Sequence, residues 1–273
     1  MPNSSPHAHE RRSGPESTIA TPIRDHREVS TDPTAAPDDA NGNTEPESDK
    51  RLYPRVTSYR TRTGVLKPSR QGAWERMWDE IGRNVDDDII DVEAWFGRRA
   101  PLVVEIGCGT GTATAEMAMA EPNVNLIAID VYKPGLAKLL QLIEQNNITN
   151  IRVIRGDAVA ILENMLAPGS VDGFRVFFPD PWPKTRHHKR RLLKPEMFTL
   201  MATRLRPRGV VHVATDHAEY AQYIEESGNS APLLGIVTGP WPMSSERPET
   251  KFEGRAARIG NAISDFAWER ITE

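Results

Sequence analysis

The stretch FFPDPWPKTRHHKRRLLKP, residues 177–195, closes an apolar run with one carboxylate, Asp180, set between Pro179 and Pro181. Trp182 and Pro183 follow, then Lys184, Arg186, Lys189, Arg190, Arg191 and Lys194, with no acid between Pro181 and Pro195. Each proline fixes φ, so the segment around Asp180 is stiff. A carboxylate so held can accept bonds from the ring N–H and amino groups of a nucleobase. The cationic block beside it suits the phosphates flanking such a base. Basic runs are ordinarily solvated surface, and Trp182 suits packing under the loop as well as stacking on a base. His187 and His188 are adjacent, so their side chains diverge, and no nearby acid completes a metal site.

A second constellation is EIGCGTGT, residues 105–112. Gly107, Gly109 and Gly111 permit a tight turn and close approach of a ligand to the backbone. The spacing G-x-G-x-G departs from the pyrophosphate fingerprint G-x-G-x-x-G. Glu105 would repel a pyrophosphate and suits a ligand carrying an amine or a sulfonium. Asp130 lies 19 residues past Gly111, where an acid ordinarily holds ribose hydroxyls. Asp157, in GDA, is placed to accept from an adenine amino group. A dinucleotide enzyme, or a structural turn with no ligand, stays open on these residues alone. Cys108 reads as a small residue of the turn, without a His or Lys nearby to activate it.

The elements that must carry these residues alternate from Pro101 onward. LVVEI (102–106), VNLIAID (124–130), IRVIRGD (151–157), GFRVFF (173–178) and GVVHVATD (209–216) read as strands. Helices are expected near 134–147, 158–166, 195–205 and 217–227, with an Ala/Met helix after the glycine turn. This alternation predicts an α/β fold with a mostly parallel sheet and helices on both faces. Glu105, Asp130, Asp157, Asp180 and Asp216 then fall at or just past five successive strand ends. One acid there is commonly a helix N-cap; five suggest a shared polar rim at the carboxyl edge, where ligands of such sheets bind.

Residues 1–50 hold ten acids against five bases and seven prolines, with no aromatic residue but His, and read as a disordered acidic tail. Residues 51–100 read as a basic arm with N-terminal helices, one near 71–81, and residues 101–273 as the catalytic domain. Arg51, Arg55, Arg60, Arg62, Lys67 and Arg70 meet no acid between Arg51 and Trp74. The net charge of −4 therefore hides local positive patches, which decide where phosphates land. The single cysteine excludes an internal disulfide and a multi-cysteine zinc site. No apolar run reaches the roughly 18 residues of a membrane helix, and no signal-peptide pattern is present. A cytoplasmic protein is expected.

The E-x-G-x-G-x-G turn with an acid ending the next strand resembles the class I S-adenosylmethionine-dependent methyltransferases. FFPDPWPKTRHHKRR, ATDHAEYAQYI (214–224) and ETKFEGRAARIG (249–260) closely resemble the signatures of the bacterial tRNA (guanine-N7-)-methyltransferases. The resemblance runs from about Tyr53 to the C-terminus. It implies a Rossmann-like fold with an antiparallel C-terminal strand, found in AISDFAWERI (262–271). It implies S-adenosyl-L-methionine held by Glu105, Gly107, Gly109, Gly111, Asp130 and Asp157, with Asp180 at the same pocket, and methylation of guanosine 46 in the tRNA variable loop. It further implies Asp180 as catalytic residue, and Lys184, Asp216, Thr250, Lys251, Phe252 and Glu253 as substrate contacts. Arg186, Lys189, Arg190 and Arg191 would meet RNA phosphates; no metal is implied, and relatives are monomers or homodimers. Gly254 and Ala256 depart from the Arg and Gly common in relatives. Competing readings are amino-group methylation, for which the Asn/Asp-Pro-Pro-aromatic arrangement is missing, and an RNA-binding module without catalysis.

Overall fold

The computed structural model describes residues 57–58, 66–248 and 262–271, all within the unit Tyr53–Glu273. The tail 1–50, the arm residues Arg51, Arg55, Arg60 and Arg62, and the segment Thr250–Glu253 with its flanks lie outside the described residues.

In chain order the elements are α1 (Pro68–Ile81), β1 (Gly82–Asn84), α2 (Val92–Phe96), β2 (Leu102–Ile106), α3 (Thr112–Ala120), β3 (Asn125–Asp130), α4 (Lys133–Asn146), β4 (Ile151–Arg155) and α5 (Ala158–Asn164). Then come β5 (Val171–Phe177), a 3₁₀ segment (Thr185–Arg190), α6 (Pro195–Arg204), β6 (Leu205–Thr215), α7 (Ala218–Asn229), β7 (Leu234–Gly235) and β8 (Ser264–Arg270). Prolines open α1, α4 and α6, where the missing N–H would have had no intrahelical partner. Asp91 caps α2 through Ala94 N, and Asp157 caps α5 through Val159 N.

One eight-stranded sheet forms, in the order β1-β4-β3-β2-β5-β6-β8-β7. The strands β1 to β6 pair in parallel and β8 runs antiparallel to β6 and β7. All five residues of β2 are buried, as expected for a central parallel strand covered on both faces. One apolar layer gathers Ile161, Leu162, Met197, Phe198, Tyr220 and Ile224 from α5, α6 and α7. The opposite layer gathers Trp74, Ala115, Leu136, Leu139, Leu140 and Ile143 from α1, α3 and α4. Strand order reverses between β2 and β5, which opens a crevice above their carboxyl ends.

The Rossmann-like α/β architecture expected from the sequence is the one observed, including the antiparallel C-terminal strand. The segment 262–271 has ambiguous periodicity alone. In the fold Trp268 is buried, with its ring 5.0 Å from Phe198 and its indole N–H donating to Asn229. Sequence patterning did not show β1, α2, β7 or the 3₁₀ segment. Segments of two to six residues are too short to display a period. Among the described residues no helix is long and apolar enough to cross a membrane.

Candidate active site

The glycine turn leaves β2 with Gly107, Gly109 and Gly111 at φ +81°, +59° and +70°. Added side-chain carbons at Gly107 would meet nothing within 4 Å, so the turn presents bare backbone to open space. At Gly111 the same carbon would lie 2.5 Å from Leu139; that glycine is needed for packing against α4. Gly107 N and Cys108 N donate to Ile129 O at 2.8 and 3.2 Å, which lashes the turn to β3. Cys108 is buried, and burial pushes its thiol well above the ordinary range.

Asp130 closes β3 beside this turn. Its Oδ2 accepts from Gly109 N and its Oδ1 from Tyr132 N, both at 2.8 Å. Burial raises its carboxyl, these backbone donors pull it back, and the charge of Asp180 raises it again. Asp180 is exposed, yet its charge reaches the foot of the crevice. The two oxygens of Asp130 keep further lone pairs toward a ligand.

Glu105 is 4% exposed and its Oε2 has no hydrogen-bond partner among the described residues. Burial pushes its carboxyl to about 7, against the pull of Thr114 and the Arg175 charge. An orphaned buried carboxylate oxygen calls for a donor; the buried Thr114 hydroxyl beside it is likewise without a partner among the described residues. Arg175 is the register neighbour of Glu105 on β5. Its Nη2 donates to both oxygens of Glu121 at 2.9 and 2.8 Å, which compensates in part a guanidinium buried to 1% exposure; Nε and Nη1 have no partner among the described residues. Sequence patterning did not mark Arg175, although an arginine inside an apolar strand demands a buried partner.

At the remaining strand ends, Asp157 follows β4 and uses Oδ1 for the α5 cap, the ordinary role for such an acid. Asp216 follows β6 and is half-buried. Gly135, in the first turn of α4, also carries no sequence mark of a role. A Cβ there would sit 2.0 Å from Gly109 O, so its bareness lets α4 press against the glycine turn. Only its position after Pro134 hints at this.

The loop after β5 bends sharply. Phe178 and Trp182 take φ +51° and +46°, conformations that cost about 1–3 kcal/mol each for residues with side chains. Phe178 is held by its N–H on Ala214 O at 2.8 Å. Trp182 is buried, donates to Ser58 O at 3.2 Å and carries Arg190 over its ring at 5.2 Å. Its indole therefore packs under the loop. Lys184, Arg186 and Lys189 are exposed on or beside the 3₁₀ segment.

Arg191 departs from the expectation of a phosphate contact. Only 1% of its side chain is exposed. Its Nε donates to Pro181 O at 2.9 Å, and its Nη1 and Nη2 donate to the two oxygens of Glu219. The guanidinium lies over Tyr220 at 4.7 Å and Tyr223 at 5.5 Å. A fork so engaged has no face left for RNA. Sequence cannot tell the buried member of a basic run from its exposed neighbours. Among the described residues no group of three or more His, Cys, Asp or Glu could hold a metal ion.

The strand order, the reversal crevice, the bare glycine turn and the acids at the strand ends define a Rossmann-like methyltransferase. Residues 99–266 match the family described as "Putative methyltransferase". The chain is 60% identical over 232 residues to the tRNA (guanine-N(7)-)-methyltransferase of Nocardia farcinica, covering 81% of this chain and 86% of that one. Identity to the enzyme of the same name from Rhodococcus jostii is 56% over 240 residues, covering 88% of this chain and 92% of the relative. To that of Mycobacterium avium it is 48% over 248 residues, covering 87% and 92%. The chain belongs to the tRNA (guanine-N7-)-methyltransferase family.

Proposed function

We propose that this chain transfers a methyl group from S-adenosyl-L-methionine to N7 of a guanosine in tRNA, at position 46 of the variable loop. The observation that carries the reading is that Asp180, exposed beside Lys184, Arg186 and Lys189, follows β5, and β5 pairs with β2, the strand that leads into the bare glycine turn. The glycine turn and a surface where RNA can land therefore follow neighbouring strands.

S-adenosyl-L-methionine supplies a methyl group already activated on a sulfonium. Its chemistry fits the donor set: bare backbone at Gly107 and Gly109, the orphaned Glu105 oxygen for a cationic group, and Asp130 for ribose hydroxyls. Asp157 is assigned to the adenine amino group alongside its capping bond. Guanine N7 is a lone-pair nucleophile, so the reaction needs orientation and charge stabilisation rather than a strong base. Asp180 accepts from guanine N1–H and the 2-amino group and favours the positive charge that builds on the ring. Adenine offers no such donor pair. Asp216 borders the acceptor, and Thr250, Lys251, Phe252 and Glu253 are assigned to it by family likeness. Lys184, Arg186 and Lys189 take the flanking phosphates; Arg190 joins them at the edge of the patch.

The test is methyl transfer from labelled S-adenosyl-L-methionine to an unmodified tRNA transcript and to a matched transcript with 7-deazaguanosine at position 46. Label in the first and none in the second is expected. Equal label in both would move the target elsewhere, and none in either would overturn the reading.

A further inference from the structure

The inward turn of Arg191 pairs a buried guanidinium with an exposed carboxylate, Glu219, whose side chain is 54% exposed. We infer that Arg191 and Glu219 form a brace that sets Asp180 relative to Asp216, and so act as positioning residues for methyl transfer. The inference rests on Asp180 acting on the acceptor base.

Asp180 is exposed. Among the described residues, its orientation is set through the backbone on either side. On the upstream side Phe178 is tied to β6 through Ala214 O. On the downstream side the carbonyl of Pro181, the next residue, accepts from Arg191 Nε at 2.9 Å. The other two arms of the same guanidinium grip Glu219. Glu219 lies in the first turn of α7, three residues after Asp216. One planar group therefore connects the residue after Asp180 to the helix that follows Asp216, at the ends of the paired strands β5 and β6.

The chemistry suits positioning more than stability. Burying a guanidinium is costly, and an ion pair whose acid stands in solvent, as Glu219 does, adds little to stability. What the fork supplies is direction: several N–H vectors fixed in one plane, which a lysine cannot reproduce. The Tyr220 and Tyr223 rings fix that plane. The Tyr220 hydroxyl in turn accepts from Leu193 N at 3.1 Å, so the far end of the loop is tied to α7 as well. Arg191 pulls the Glu219 carboxyl below its ordinary range, so the acid stays ionised at neutral pH.

The test compares Arg191→Lys, Glu219→Gln, Asp180→Asn and the double variant Asp180→Asn/Glu219→Gln. Each is assayed for kcat, KM for tRNA, calorimetric Kd for S-adenosyl-L-methionine, and thermal midpoint. Arg191→Lys and Glu219→Gln should lower kcat about ten- to hundredfold, the scale of a small misplacement of reacting groups. The Kd should stay within about twofold, which also certifies the fold. The double variant should be no slower than Asp180→Asn alone, because residues acting as one unit are non-additive. Glu219→Asp, which keeps the charge, should recover part of the rate, and it carries the test if the other variants fail to fold. A fall in thermal midpoint with wild-type kcat would reduce the pair to a structural fastener. Multiplying losses in the double variant would place its effect outside Asp180, and a change confined to KM would return Arg191 to RNA contact. If Asp180→Asn alone kept wild-type turnover, the role of Asp180 would fail and the brace with it; a slow Asp180→Asn beside a wild-type Arg191→Lys would sink the brace only.

Discussion

The two walls of the crevice are built by different means. On the β2–β3 side, the groups proposed to meet the ligand are the bare backbone of the glycine turn and two carboxylates, Glu105 buried and Asp130 half-buried. On the β5–β6 side, Asp180, the carboxylate proposed to act on the acceptor, stands in solvent, and Trp182 and Arg191 are buried in the strained loop around it. The physical reason lies in the ligands. A small ligand can be enclosed, so a low-dielectric pocket strengthens each contact. A folded RNA cannot be enclosed, so the acceptor side must expose charge and take its rigidity from below. The contrast teaches that exposure and order are separable: Asp180 is open to water, while its neighbours Phe178 and Pro181 are each tied by a hydrogen bond.

The largest break of this contrast is Asp180→Asn. Methyl transfer should fall about 10²–10³-fold, the usual loss of one preorganised electrostatic contact. Cofactor affinity, set on the other wall, should be nearly unchanged by calorimetry. A matching loss of affinity would mean that the two walls are not independent.

Gly135→Ala attacks the other wall. The new carbon would press Gly109 O from 2.0 Å and shift the glycine turn. S-adenosyl-L-methionine should bind roughly ten- to hundredfold more weakly, as expected for about 1–3 kcal/mol of imposed strain. The rate at saturating cofactor should change far less than the affinity.

Acidity sharpens the contrast further. Glu105 titrates at about 7 in the fold, above its unfolded value, so the folded state holds the extra proton in between. The stability it contributes is fully present below the unfolded value and is lost as pH rises through about 7. The loss is on the order of 3 kcal/mol for a shift of this size. Urea midpoints of the ligand-free protein should therefore fall between about pH 4.5 and pH 7 and level off above, and Glu105→Gln should flatten that fall. A cationic ligand prefers the ionised carboxylate, so S-adenosyl-L-methionine should bind more tightly as pH rises through the same window. That trend should vanish in Glu105→Gln.

The smallest expected effect is on the surface. Lys184→Ala with Lys189→Ala should raise KM for tRNA a few-fold and make its logarithm less salt-dependent, by about 0.7–0.9 of slope for each phosphate no longer neutralised. Arg191→Lys should leave that slope as in wild type. A slope changed equally by all three would erase the distinction drawn between buried and exposed members of the basic run.

Much of this was written into the chain. Apolar runs of strand length alternating with amphipathic segments dictate a parallel sheet, because each run must be covered on both faces. The acids at 105, 130, 157, 180 and 216 then fall at the strand ends by spacing alone. What the tertiary structure decided was the environment of each group. Burial, which depends on residues distant in sequence, leaves Glu105 with an orphaned oxygen and turns Arg191 away from solvent. Arg175 finds Glu121 54 residues away, and Gly135 is required only because Gly109 arrives against it. A one-dimensional pattern records which groups exist and their period. Which of two neighbouring arginines faces water is settled by the packing of β6, α7 and the loop together.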